Sequence, residues 1–415
     1  MQSLFVRRYV SILSALCLLS CGSPSPESES GPEPDIYGAI PVDDCMTFAG
    51  ERLLETVGDL MQIDPALSGQ PSKAYSMFPR FTNADGMWET TDSSAWSSGF
   101  FAGCLWLMYE YTSDDEWKRL AESWTAAMER EKTAGGNHNL GFKMMPGFGH
   151  GFRLTGSEHY REVLIESART LAGRFNDTVG LIKANEMEQW KYPVMVDTMV
   201  NIELLFRAAE YGGDPAWADM AETHALNTFR HHVRGDGGTV QVVDFDPATG
   251  EVIAHDTLCG LSGDSAWARG QGQAIYGFTA AYRCTKNPEL LKAAETVADF
   301  FIDNLPADYI PYWDFSDPAI PNTIRDASAA AVAVDGLIEL GSLSVDPAKK
   351  KRYSEAAVNI LTSLCSDGYL IGGTDSRGIV GHATWKKPSD PQADTSLIWG
   401  DYNFIEALMR CRRGI

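Results

Sequence analysis

Two kinds of helical segment alternate along the chain. In SDDEWKRLAESWTAAM, Trp117, Leu120, Ala121, Trp124 and Met128 fall on one face, and in NPELLKAAETVADFF the same holds for Leu290, Ala294, Val297, Ala298 and Phe301. Such stripes belong to surface helices with one buried side. SSGFFAGCLWLMYEY, VMVDTMVNIELLFRAA and ARGQGQAIYGFTAAY are instead apolar nearly all round, so each has to be covered on every side. The pattern predicts about twelve helices, starting near residues 43, 96, 114, 140, 158, 195, 214, 265, 287, 326, 348 and 399. The even-numbered ones are mostly of the buried kind. Links of hairpin length join many of them. The simplest closed arrangement is an all-α barrel of six helical hairpins, an inner ring inside an outer one: an (α/α)6 barrel.

In that topology the inner helices all run the same way, so their N-terminal ends collect at one mouth. The unusual residues sit at those ends: Trp96, His138 with Asn139, Asp197, Trp267 with Arg269, Asp326, and Asp401. The pattern therefore predicts one pocket, with helix N-termini adding a potential that favours anions. Asp197 lies between Val194-Met195-Val196 and Met199-Val200. Burial there raises a carboxyl pKa and suits a group that gives and takes a proton; the competing role is a helix N-cap. Arg269, with Gln271 and Gln273, heads an apolar segment where a guanidinium needs an anion. A ligand carboxylate is one candidate, and a structural acid (Asp264, Asp326 or Asp401) is the other. Trp96 and Trp267 are either a stacking floor for a sugar ring or core aromatics. Asp401 reads as a cap and cross-helix anchor, and His138 as an orienting group.

Composition changes this picture mainly at the ends. MQSLFVRRYVSILSALCLLSC reads as a secretory leader, residues 1–20, with Leu18-Leu19-Ser20-Cys21 as a lipoprotein processing box that makes Cys21 the lipidated N-terminus; the alternative is an ordinary cleaved signal. Residues 21–42, acidic and proline-rich, read as an unfolded tether, and 43–415 as the barrel domain. The protein is then expected in the periplasm or anchored at the outer membrane, touching lipid only through that N-terminus. The formal charge is −22, and losing Arg7 and Arg8 with the leader makes it −24. Such acidity excludes a nucleic-acid partner, which needs a basic footprint. The six cysteines beyond Cys21 form no CxxC pair, so a structural zinc is not expected.

WSSGFFAGCLWLMYEYTSD, HNLGF, VDTMVNIELLFRAAE, GTVQVVDFDPATGE, DSAWARGQGQAIYGFTAAYR, PYWDFSDPAIPNTIRDASAAA and IWGDYNFIEAL occur in this order. Together they resemble the unsaturated glucuronyl hydrolases of glycoside hydrolase family 88, over about residues 43 to 412. The resemblance implies an (α/α)6 barrel that needs no metal or organic cofactor. It implies a substrate, too: an oligosaccharide left by a polysaccharide lyase, with a 4,5-unsaturated uronic acid at its non-reducing end. The reaction is hydration of the C4=C5 bond, after which the sugar ring opens and the remaining saccharide is expelled.

By the same resemblance Asp197 is the general acid and base, Arg269 a substrate-binding arginine near the uronate, and Trp96 an aromatic lining the sugar site. Asn139 stands where the family has an aspartate. Asn185, Gln241, Cys259 and Gln273 replace a tryptophan, a histidine, a glutamine and a tryptophan. The pocket is thus expected to be remodelled toward amide hydrogen bonding, with Asp197's pKa lowered by loss of a like charge. Lys386 and Lys387, beside Trp385, are candidates for a sulfate or carboxylate on the next sugar. The alternatives are a non-catalytic sugar-binding lipoprotein, which Asn139 motivates, and another (α/α)6 glycosidase or lyase, which would need a second acid near Asp197.

Overall fold

A computed structural model describes residues 36–63, 77–387 and 389–414; Cys21, with the leader and most of the tether, lies outside them. The outer helices are α1 (Val42–Ile63), α3 (Asp115–Met128), α6 (Glu158–Ala172), α9 (Ala216–His232), α11 (Pro288–Asp303) and α13 (Pro347–Leu364). The inner ring is α2 (Gly99–Thr112), a broken helix of α4 (Leu140–Met144) and α5 (His150–Thr155), a second broken helix of α7 (Thr198–Asn201) and α8 (Glu203–Glu210), then α10 (Ala268–Thr285), α12 (Ala327–Leu343) and α14 (Ile398–Arg413). Each of the twelve predicted starts lies within three residues of an observed helix. The ring closes where α14 packs on α2, with α1 covering the seam.

Burial follows the two patterns. On α12 every residue from Ala327 to Gly341 is buried, whereas α3 buries Trp117, Leu120, Ala121, Trp124 and their neighbours on one side. Close approach within the ring explains two glycines: a methyl at Gly99 would run into the Lys143 carbonyl, and one at Gly141 into the Asn201 backbone. Outer helices start on capping side chains that the sequence shows plainly, including Asp114, Ser157, Asn287 and Asp346.

Two features depart from the helical reading. First, α4 and α5 are separated by a π-helical turn over Met145–Gly149, and α7 is a single turn. Short segments of this kind have little macrodipole, so the anion-favouring potential expected at the mouth comes mainly from α2, α10, α12 and α14. Second, the segment expected to start a helix near 195 begins as strand β5 (Pro193–Met195). It pairs antiparallel with β6 (Val242–Phe245), which pairs with β7 (Val252–Asp256). The signal was present in the alternation of Val240, Val242 and the DPATG turn that follows Phe245.

Candidate active site

Strand β5 delivers Asp197 to the barrel mouth. The Val196 N–H donates to the Gln241 carbonyl at 2.9 Å, which seats the next residue beside the loop carrying Gln241. Asp197 occupies the N-cap position of α7 but its side chain makes no capping hydrogen bond, so the capping role is not the one it plays. The carboxylate keeps some exposure toward a cavity of about 480 Å³, mouth included. Its Oδ1 is sealed from solvent with no hydrogen-bond partner. Burial pushes its pKa up to about 6, against a smaller opposing pull from its own backbone and from Arg269. The lowering expected from loss of a like charge at position 139 is therefore overridden by desolvation.

The same cavity is lined by Trp96, His138, Asn139, Asn185, Gln241, Cys259, Trp267, Arg269, Gln273 and Trp385, all singled out from the sequence, together with Met195 and Leu258. His138 Nδ1 lies 2.6 Å from Thr198 Oγ1, and burial lowers its pKa to about 3, so it is neutral and orients rather than titrates. The Asn139 side chain makes no hydrogen bond to the described residues, which leaves its amide to a ligand or water. Gln241 is half committed: its Oε1 accepts from Thr257 Oγ1 and from the Leu258 and Cys259 N–H groups, pinning that turn. The Gln273 Oε1 is buried without a partner.

Arg269 resolves its two candidate partners by taking one and sparing an edge for the other. Nη1 donates to Asp326 Oδ2 at 3.0 Å, Ser328 Oγ at 3.1 Å and the Thr384 carbonyl at 2.6 Å, and Nη2 donates to the Trp385 carbonyl. Its Nε donates to no described residue. The guanidinium lies 4.5 Å from the Trp267 ring and 5.4 Å from Trp399. Trp267, almost wholly buried, thus steadies the arginine as much as it walls the cavity. Trp96 is the more open ring, packed 4.5 Å from Trp399.

The two expected lysines are not brought into the cavity wall, and Lys387 is exposed. Lys386 Nζ lies 4.0 Å from the Trp385 ring, and its charge reaches the Cys259 thiol. Sequence reasoning missed Arg80 on strand β1 (Phe78–Thr82), whose guanidinium lies 5.0 Å from Trp385 with Nε buried and unpartnered. Asp401 anchors as expected, accepting from the Ile379 and Val380 N–H groups at 3.1 and 2.9 Å.

Among the described residues that line the cavity, Asp197 is the one carboxylate. The chain is 41% identical over 324 residues to an unsaturated glucuronyl hydrolase of Formosa agariphila, covering 77% of this chain and 80% of that one. The chain belongs to the unsaturated glucuronyl hydrolases. A crystal structure of an unsaturated glucuronyl hydrolase specific for heparin superposes on this hydrolase with a TM-score of 0.80 at 33% identity, covering 89% of this chain and 98% of that one. An Asp→Asn variant of the unsaturated glucuronyl hydrolase from Streptococcus agalactiae, complexed with dGlcA-GalNAc6S, superposes with a TM-score of 0.75 at 27% identity over 92% and 96% of the two chains. No protein-family model matches the chain. The shared fold is the barrel that the alternating helix patterns predict.

Proposed function

We propose that this hydrolase releases a 4,5-unsaturated uronic acid from lyase-made oligosaccharides with Asp197 as its single general acid and base. Protonated Asp197 gives its proton to C4 of the vinyl ether, and water attacks C5 and returns a proton to Asp197. The resulting hemiketal opens, expelling the remaining saccharide as an alcohol and leaving a 4-deoxy-5-keto uronate. The observation that carries this reading is the lone, desolvated carboxyl with a pKa of about 6, poised between both protonation states near neutrality. A two-carboxylate glycosidase has no second acid among the described lining residues.

The uronate carboxylate is assigned to the free Nε edge of Arg269, and the amides of Asn139 and Gln273 to hydroxyls or the attacking water. Arg80 and Lys386, around Trp385, form a cationic rim for an anionic group on the next sugar. The test is a panel of chondroitin, hyaluronan, heparin, alginate and ulvan lyase products, followed by loss of the ultraviolet absorbance of the conjugated double bond and by mass spectrometry. At least one product should be consumed. Tight calorimetric binding of an unsaturated disaccharide with no turnover anywhere in the panel would instead favour the sugar-binding reading that Asn139 motivates.

Asn139→Asp restores a like charge beside Asp197. The alkaline limb of kcat/KM, set by loss of the Asp197 proton, should then move up by about 1 pH unit. An unmoved limb means position 139 does not communicate with the acid.

A further inference from the structure

Next to the sugar cavity, and sharing part of its wall, lies a second chamber of about 590 Å³, open margins included. The two share Trp96, Arg269 and Gln273. The chamber walls carry three carboxylates from different inner helices: Glu203 on α8, Asp335 on α12 and Glu406 on α14.

These acids belong to one continuous ion network. Arg410 stands 3.0 Å from Glu339, 3.3 Å from Glu406 and 3.6 Å from Asp335. Arg283 joins Glu339 to Glu203, and Arg207 joins Glu203 to Glu210. At the other end Arg413 joins Glu406 to Glu110, which also meets Arg153. With every carboxyl ionised, the network contains six carboxylates and five guanidiniums and is one positive charge short, a deficit that falls on Asp335, whose pKa burial raises well above the ordinary carboxyl range. His150, 3.8 Å from Glu406, does not supply it, because burial holds its imidazole neutral with a pKa near 4 while Nδ1 accepts from Arg153.

The place of the deficit is visible in the hydrogen bonds. Asp335 is fully buried and neither of its oxygens has a hydrogen-bond partner, and Glu406 Oε2 has none either. Both residues line the chamber, as do Asn403 and Tyr402, whose hydroxyl also meets His150 Nε2 at 2.9 Å. Arg410, 3.6 Å from Asp335, is shared with Glu339 and Glu406, and a buried carboxylate that accepts no hydrogen bond is strongly unfavourable. No group of three His, Cys, Asp or Glu side chains converges as a metal-ligand set among the described residues. A deficit of one charge calls for a singly charged ion rather than a divalent one.

We propose that this chamber binds one monovalent cation, of the size of potassium or ammonium, between Asp335 and Glu406. Its occupancy completes the charge of the network and places a cation beside the wall that holds Arg269. The full-length protein should melt about 2 °C or more higher in potassium chloride than in choline chloride of equal ionic strength. Asp335→Asn supplies neutrality without the ion and should melt at one temperature in both salts. Glu406→Gln is the second variant, with the same expectation if the first does not fold. Crystals soaked in rubidium chloride should show an anomalous peak between the two carboxylates. Equal melting of the unsubstituted protein in the two salts, with no rubidium peak, would assign the missing charge to a proton and overturn the proposal. A salt effect that survives unchanged in both variants would overturn it too, by placing the ion elsewhere.

Discussion

Asp197→Asn lowers kcat/KM by about 10³-fold or more while the helical circular dichroism is unchanged, because the amide can neither donate a proton to C4 nor recover one from water. The pH profile of the unsubstituted enzyme should show why. With its pKa at about 6, Asp197 is mostly protonated below that pH and mostly ionised above it, so turnover that begins with proton donation falls as pH rises through about 6. The same group makes a prediction for stability with a definite sign. Its folded-state pKa lies above the ordinary carboxyl value of about 4, so the folded state is favoured while the group stays neutral. That advantage is lost as pH climbs from about 4 through about 6. Asp197→Asn carries no charge to desolvate. It should become the more stable protein above pH 6, by about 1–2 kcal/mol once partial exposure is discounted. Urea midpoints at pH 4.5 and pH 8 check this; an advantage that is equal at both would mean that burial is not what raises the carboxyl.

Arg269→Met has the largest structural penalty of any change in the site. It strips the charge partner from Asp326, which is wholly buried and would keep only its neutral donors: the Ser328 and Ala329 N–H groups, the Ser328 hydroxyl and the Thr384 N–H. Breaking such a pair from one side costs about 3–5 kcal/mol. The Thr384 and Trp385 carbonyls lose their donors too, so the wall that carries Trp385 should loosen. The expected result is a large drop in the urea midpoint together with a higher KM for unsaturated uronides. Arg269→Met with Asp326→Asn removes both charges and should recover part of the stability but not the KM. If the double variant also recovered substrate affinity, Arg269 would be a structural arginine alone, with no role at the uronate.

Much of this was legible in the chain. The difference between helices striped on one side and helices apolar all round reports whether one face or every face is covered, and that contrast alone separates an inner from an outer ring. Caps such as Asp114 and Asn287 mark where helices start, because their side-chain oxygens accept from amides two residues on. The candidate pocket was legible for a topological reason: parallel inner helices bring Trp96, His138, Asp197 and Arg269 together although they are scattered over more than 170 residues of sequence. Strand β5 was hidden, since three apolar residues look alike in a strand and in a buried helix until pairing partners 47 to 51 residues away are known.

What the sequence by itself determined is the barrel, the mouth at which the helix heads meet, and the residues that face one another there, because those follow from local periodicity and chain direction. Only the tertiary structure decided the electrostatics. Whether Asp197 caps a helix or stays unpaired, whether Arg269 is already bound to Asp326, that neither Lys386 nor Lys387 joins the cavity wall, and that Asp335 lies buried without a hydrogen-bond donor all depend on groups distant in sequence. A charge takes its energy from the solvent it loses and the partners it gains, and both are properties of the packed interior rather than of any one segment.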